Sequence, residues 1–234
     1  MSTPVVIALG GNQGDVRSVG HSALSQLGAS PGIQVARVSR WYSTEPVGCV
    51  GEFLNGAALL SCEISPPQLL KRLHEIEAAH GRVRSAHWGP RPLDLDIVLF
   101  GTQQYDSPSL VIPHPWVWNR RFVLDPACEI AGEMRHSGLR LTLHQLRERL
   151  RERPLRVAWS GPDAWSEFFD HPSLARFQQQ IERADEPASA HLHFTTDRQS
   201  WLRPFEVLVP SNRERARALV ALTLTAMLDE PRPV

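Results

Sequence analysis

Lysine is almost missing from this chain of 234 residues. Lys71 is the only one, and arginine supplies the rest of the positive charge. A phosphate loop of the Walker type needs a lysine directly after its glycines, and Lys71, between Leu70 and Arg72, has no such setting. Any phosphate must be held by arginine, by backbone N–H groups or through a metal, and the guanidinium fork matches phosphate oxygens. Cysteine is scarce too. Cys49, Cys62 and Cys128 are widely spaced and make neither a zinc pattern nor a disulfide framework, which points to a reducing environment. There is no basic-apolar-small leader at the N-terminus and no apolar run long enough to span a bilayer. A soluble, cytoplasmic protein without a membrane partner is expected. The net charge is zero, which removes the bulk electrostatic reason to bind nucleic acid.

What is present is concentrated between His87 and Gly101, HWGPRPLDLDIVLFG. Its first six residues hold two prolines and a glycine and resist regular structure. Leu93–Phe100 reads as a buried strand interrupted by Asp94 and Asp96. Alternate side chains of a strand share a face, so both carboxylates project together. Two like charges on a largely apolar strand are costly unless a cation neutralises them. Mg²⁺ suits such a pair, since it usually takes one or two carboxylates plus substrate phosphates. A DxD pair alone reads equally well as an edge strand with a polar outer face. The apolar run around it and the arginines before it, Arg82, Arg84 and Arg91, favour metal and phosphate chemistry.

Upstream, Pro4–Leu9 is a short apolar strand. Gly10-Gly11-Asn12-Gln13-Gly14 turns out of it, and Asp15 caps a helix with apolar positions Val16, Val19, Ala23, Leu24 and Leu27. GGNQG is not a dinucleotide fingerprint, and a tight turn ahead of a helix is the favoured reading. Ile33–Tyr42 alternates as a half-buried strand, and Ser43–Glu52 reads as a loop. Phe53–Ser61 is a further strand carrying one amide, Asn55. That amide either satisfies nearby backbone, the commoner case, or reads the edge of a heterocycle. Ser65-Pro66-Pro67-Gln68 starts a helix with the stripe Leu69, Leu70, Leu73 and Ile76, which Gly81 ends. A polar hairpin or loop follows Gly101. A short helix is expected over Asp125–Ala131 and another over Leu141–Leu150. Hairpin-like connections mixed with helical crossovers argue α+β.

Several ordered stretches, ALGGN, WYSTEPVG, FLNGA, GRVR, HWGPRPLDLDIVLFG, IPHP and RFVL, resemble the 6-hydroxymethyl-7,8-dihydropterin pyrophosphokinase family over about residues 1–152. The resemblance implies a ferredoxin-like α+β domain that transfers pyrophosphate from ATP to the pterin hydroxymethyl group and releases AMP, in folate synthesis. Its partners would be ATP, the pterin and two Mg²⁺ ions. Carried over by position, Asp94 and Asp96 would be the metal ligands and Arg82 and Arg91 the catalytic clamps on the phosphates. Thr44, Val47, Phe53, Asn55, Trp88 and Phe122 would bind the pterin side, with Phe53 and Phe122 as an aromatic sandwich. His74, Arg84, Ile97, His114 and Arg120 would meet ATP. The sequence departs from the pattern at His74, where members often carry glutamine. Ser85, Ser109 and Trp116 depart from it too, each at a place where some members carry a cation.

Residues 153–234 exceed the family's usual length. Strands are expected at Leu155–Trp159, Ala190–Thr195 and Phe205–Val209, with Asp163–Ala184 mostly helical and a helix over Asn212–Leu228. This β-α-β-β-α pattern reads as a small α/β accessory domain without a catalytic constellation, one that docks on the first domain or self-associates.

Overall fold

A computed structural model of the chain describes residues 2–45, 52–82, 91–161, 165–196 and 205–234. They divide into two compact units, Met1–Arg147 with Asp229–Val234, and Glu148–Leu228.

The first unit opens with β1 (Thr3–Gly11), α1 (Val16–Gly28), β2 (Ile33–Val38), β3 (Tyr42–Thr44), β4 (Phe53–Cys62), α2 (Pro66–Ala79) and β5 (Asp94–Phe100). A two-stranded hairpin, β6 (Tyr105–Ser107) and β7 (Leu110–Ile112), leads to α3 (Arg121–Ala131) and α4 (Leu143–Arg151). The sheet is antiparallel among these strands. β1 is flanked by β4 and β5, and β2 and β3 pair with successive parts of β4. Val5, Ile7 and Leu9 of β1, Leu95 and Ile97 of β5, and Ala58 and Leu60 of β4 share one face. They pack against Ala23, Leu24 and Leu27 of α1 and Leu69, Leu73 and Ile76 of α2. The other face carries α3.

Local chemistry explains most boundaries. The Asp15 carboxylate accepts the Ser18 N–H at 3.1 Å. Gln68 Oε1 reaches back to the Ser65 N–H at 2.9 Å. Gly81, at φ +82°, lets the chain leave α2 through the left-handed region. Three expectations need correction. The strand expected over Ile33–Tyr42 is two strands, because Ser39 interrupts it: its hydroxyl, not a main-chain carbonyl, accepts the Ala57 N–H at 2.9 Å. The chain then resumes pairing over Tyr42–Thr44, inside the segment read as a loop. The helix expected at Asp125 starts at Arg121, where an Arg121–Asp125 pair at 3.0 Å supports the first turn. α4 starts at Leu143, because Thr142 caps it: its hydroxyl accepts the Gln145 N–H at 3.1 Å, and Gln145 Oε1 accepts the Thr142 N–H at 2.9 Å.

The second unit holds β8 (Leu155–Ser160), α5 (Trp165–Phe169), β9 (Ile181–Arg183), β10 (Leu192–Thr195), β11 (Glu206–Leu208) and α6 (Arg213–Leu228). Its strands form a parallel sheet in the order β11-β10-β8-β9. The stretch read as mostly helical, Asp163–Ala184, instead contains α5, a 3₁₀ segment from Pro172 and the strand β9. Pro172 cannot continue a helix that arrives from α5. Trp159, Trp165, Phe168 and Phe169 stack in the core, with ring centroids 4.0 Å apart for Trp165–Phe169 and 4.1 Å for Trp159–Phe168. On the opposite sheet face Ser160 Oγ, His193 and Glu206 Oε1 form a cross-strand polar row. His193 Nε2 lies 2.8 Å from the serine and Nδ1 lies 2.9 Å from the glutamate. Residues expected to belong to the accessory domain up to Val234 do not all do so. The last six group with the first unit, where β12 (Arg232–Pro233) pairs antiparallel with β3.

Candidate active site

The candidate residues carried by β3, β4 and β5, apart from Ile97, lie on the sheet face away from α1 and α2, and strand register puts them there. Gly10 of β1 stands opposite Asn55 of β4 on one side and Asp94 of β5 on the other. Ala8 stands opposite Asp96 in the next row. Tyr42 and Thr44 of β3 oppose Asn55 and Phe53. Directly opposed residues of an antiparallel pair share a face. Phe53, Asn55, Thr44, Asp94 and Asp96 therefore point the same way, while Leu95 and Ile97 alternate into the core. Between the amide and the carboxylate there is no side chain, because the residue is Gly10. The two are two strand spacings apart, about 10 Å. A Cβ at Gly10 would come to 3.1 Å from Asn55 Oδ1.

The pterin-side candidates are pre-set. Asn55 and Thr44 are both buried, and Asn55 Nδ2 donates to Thr44 Oγ1 at 2.8 Å. That bond leaves the amide carbonyl in the direction of Gly10. Phe53 and Phe122 are half-buried, and the Arg120 guanidinium sits 5.6 Å from the Phe122 ring centroid. α3, which carries Phe122, is tied to the β2–β3 edge. Arg37 donates to the Ile130 carbonyl at 3.0 Å and the Tyr42 hydroxyl to Glu129 at 2.6 Å. Burial, with Glu129 beside it, pushes the Tyr42 phenol up to about 12, so it remains a donor.

The phosphate-side candidates converge on Asp94. Arg82 pairs with one oxygen of Asp94 and with Glu77, while Arg91 Nη1 reaches the other Asp94 oxygen at 2.6 Å. Glu77, 1% exposed, also accepts the Leu95 N–H at 2.7 Å. It therefore fixes the end of α2, the strand β5 and the Arg82 side chain together. The Arg91 peptide is held from the first turn of the chain. Its N–H donates to Asn12 Oδ1 at 2.9 Å and its carbonyl accepts the Asn12 N–H at 3.1 Å. That approach requires Gly11, where a Cβ would lie 2.7 Å from the Pro92 carbonyl oxygen. His114 donates its backbone N–H to Val98 at 3.0 Å, which brings it alongside β5. Burial, then the nearby Arg120 charge, push its imidazole down to about 3, with Asp94 opposing, so it is neutral at working pH. Burial also lowers the Arg120 guanidinium, and Asp96 and Asp94 counteract this.

The structure thus gathers Arg82, Arg91 and Asp94, with His114 and Arg120 within reach of the Asp94 charge and Asp96 one row along, and sets Thr44, Phe53 and Asn55 together across β3 and β4, while Phe122 meets Arg120. His74 is half-buried on α2. Ile97 points its side chain into the core, and its main chain pairs with Ile7. Val47, Arg84 and Trp88, with the departure at Ser85, lie outside the described residues. Sequence reasoning missed Asn12 and Glu77. Both have a signal: an amide directly after two glycines, and an acid at the helical position following Leu69, Leu73 and Ile76. Gly10 and Gly11 were read as a turn only. Among the described residues no three or more His, Cys, Asp or Glu side chains gather as a metal cage. Two hard carboxylates that already attract guanidinium groups fit Mg²⁺ if substrate oxygens complete its shell.

Paired carboxylates on one strand face, arginines from three segments and a buried amide one strand away are the equipment of a phosphate-transferring enzyme. Residues 6–132 match the family model of 7,8-dihydro-6-hydroxymethylpterin-pyrophosphokinase. The chain is 40% identical over 146 residues to the 2-amino-4-hydroxy-6-hydroxymethyldihydropteridine pyrophosphokinase of Synechocystis sp., covering 62% of this chain and 75% of that protein. It is 41% identical over 133 residues to the protein of the same name from Pseudomonas aeruginosa, covering 56% and 82%. A crystal structure of an HPPK-DHPS protein in complex with substrates has a TM-score of 0.51 at 12% identity, covering 71% of this chain and 52% of that one, a likeness of fold. The chain thus spans about half the length of that solved protein. It belongs to the 7,8-dihydro-6-hydroxymethylpterin-pyrophosphokinase family, ATP-using transferases that move a pyrophosphoryl group to hydroxymethyldihydropterin in folate biosynthesis. No helix among the described residues is long and apolar enough to cross a membrane.

Proposed function

We propose that this chain runs the family's reaction across the row Asn55–Gly10–Asp94. The pterin lies over the bare Gly10 position between Phe53 and Phe122, where a flat ring gains stacking and excludes water. Asn55 and Thr44 read its polar edge, a role that the family pattern extends to Val47. The ATP triphosphate runs toward Asp94 and Asp96 beneath Arg82 and Arg91, with Trp88 and Arg84 on the same connecting segment. His114, Arg120, His74 and the Ile97 main chain meet the nucleotide. The observation that carries this reading is the register itself. An amide and a carboxylate stand on the α3 face of the sheet, one side-chain-free strand apart.

The hydroxymethyl oxygen attacks the β-phosphorus of ATP. The bond from that phosphorus to the α–β bridging oxygen breaks, AMP leaves with the electron pair, and the hydroxyl proton passes to solvent. The protein's task is to align the two ends and neutralise charge. Glu77 aims the Arg82 guanidinium and Asn12 fixes the Arg91 main chain, so less freedom is left to lose when the phosphates are clamped. Two Mg²⁺ ions held by Asp94 and Asp96 would supply the remaining charge neutralisation of the triphosphate. The strand order supports a ferredoxin-like arrangement: counting β2 and β3 as one strand, β1-α1-β2/3-β4-α2-β5 places β1 between β4 and β5. Cys62 is a buried free cysteine whose thiol burial raises to about 11, which is in keeping with a reducing, cytoplasmic setting.

The test is AMP release from ATP and Mg²⁺ by the full chain, with and without 6-hydroxymethyl-7,8-dihydropterin. Pterin-dependent AMP is the expected result. AMP formed equally without pterin, or none under either condition, would overturn the reading.

A further inference from the structure

β3 is three residues long, and one of its edges is taken by β4. So short a strand with its second edge open has little to hold it. Yet it carries Thr44, the hydroxyl that orients Asn55. The second edge is closed by the end of the chain. Arg232 and Pro233 pair with Ser43 and Tyr42, and the Val234 N–H donates to the Trp41 carbonyl at 2.9 Å. Asp229 Oδ2 accepts the Glu45 N–H at 3.1 Å, directly after Thr44. Glu230 lies 3.9 Å from Arg121, at the start of the helix that carries Phe122. The same six residues therefore touch both walls assigned to the pterin. Where the returning strand meets β3 there is a cavity of about 450 Å³ lined by Ser43, Thr44, Glu45, Glu52, Asp229, Glu230 and Arg232.

We infer that Asp229–Val234 is a working part of the pterin end of the site, and that Asp229 is a positioning residue that sets Ser43–Glu45 and through them Thr44. The inference rests on the pterin assignment above. Burial raises the Asp229 carboxyl and the Glu45 charge adds to that, while the backbone N–H groups of Glu45 and Glu230 and the Arg121 charge favour its ionised form. A carboxylate kept there under opposing influences is kept for the hydrogen bond it accepts. Residues 133–228, all of which lie beyond the matched family segment, then serve in part to deliver this strand to β3.

The experiment compares the full chain with Asp229→Ala, Asp229→Asn and a chain ending at Leu228. Asparagine keeps an acceptor oxygen, whereas alanine does not. A bond of this kind, lost at a binding wall, corresponds to about a tenfold change in affinity. Pterin KM is expected to rise about tenfold in Asp229→Ala and in the shortened chain. ATP KM and kcat at saturating pterin should stay within about twofold of the parent, and Asp229→Asn should behave as the parent does. Equal rises in both KM values, or Asp229→Asn as impaired as Asp229→Ala, would mark general loosening and overturn the inference, as would an unchanged pterin KM. Equilibrium binding of fluorescent 6-hydroxymethylpterin with Mg²⁺ and a non-hydrolysable ATP analogue separates this inference from the reaction. If the full chain binds the pterin but makes no AMP, the reaction reading fails, and the affinity ratio between parent and Asp229→Ala still decides the role of Asp229. No pterin binding by the full chain overturns both.

Discussion

Asp94 and Asp96 share a face but not a job. The described ion pairs with Arg82 and Arg91 fall on Asp94, so its carboxylate holds the cationic side of the site together before any substrate arrives. Asp96 is one row further along, where its charge is felt by Arg120. Asp96→Ala is therefore expected to lower turnover by about a thousandfold, or about 4 kcal/mol of transition-state stabilisation, while leaving the melting temperature near that of the parent. Asp94→Ala should lose both turnover and stability, because two half-buried guanidiniums lose the carboxylate they share. AMP release and thermal unfolding of the two variants check this, and near-normal turnover in Asp96→Ala would sink the metal assignment. Gly11 is a second position where one atom decides. Its added Cβ in Gly11→Ala meets the Pro92 carbonyl oxygen and both Val16 methyls, at 2.7 and 3.1 Å. Something must shift, at a cost of about 1–3 kcal/mol. The part that shifts carries the Asn12–Arg91 pairing, so turnover should fall with stability in that variant. Denaturant unfolding and AMP release together would show it.

At the scale of elements, α2 and β5 are joined through one side chain. Glu77 is buried, accepts the Leu95 N–H and pairs with Arg82. Glu77→Ala leaves a half-buried cation and a buried N–H without that acceptor and should cost about 3–5 kcal/mol. Glu77→Gln keeps an acceptor for Leu95 and should cost clearly less. Equal losses in the two variants, read by chemical denaturation, would mean that the charge on Glu77 carries the whole effect. This link also shows what the sequence could convey. The helix α2, its start at Pro66, its end at Gly81 and the stripe Leu69, Leu73 and Ile76 follow from spacing and capping. So does the common face of Asp94 and Asp96, from a period of two. Glu77 was hidden because an acid next to an apolar stripe is usually at the solvent edge, and only the approach of β5 shows where it points. The break between β2 and β3 was hidden for a related reason. Residues 33–44 alternate well enough for one strand, and it takes the Ser39 hydroxyl bonding to Ala57 across the sheet to divide them. The extra strand β9 needed a parallel partner, β8, to reveal itself.

For the whole molecule, the terminal return to β3 was the least legible feature. Arg232 and Pro233 carry no strand signal of their own, and proline suits only an edge. A property legible from neither spacing nor family is the acid response. His136 in the first unit is buried, and its Nδ1 accepts the Leu139 N–H at 3.1 Å. Burial pushes its imidazole down to about 4 from an ordinary 6.5. His191 in the second unit is also lowered by burial, partly offset by Glu152. A histidine whose folded pKa lies below its unfolded one binds more protons unfolded, so stability rises with pH between the two values. The contribution of neutral His136 is fully present above pH 6.5 and is lost as pH falls through 6.5 toward 4. The melting temperature should therefore be nearly flat from pH 8 to 6.5 and fall steadily below that, before most carboxylates titrate. In His136→Asn the fall between pH 6.5 and 4.5 should be shallower, so that the difference between parent and variant narrows on acidification. A difference in melting temperature that stays constant from pH 7 to 4.5 would show that His136 does not couple folding to protonation. The acid sensitivity would then belong to other groups, first among them His114, whose imidazole burial and Arg120 push down to about 3.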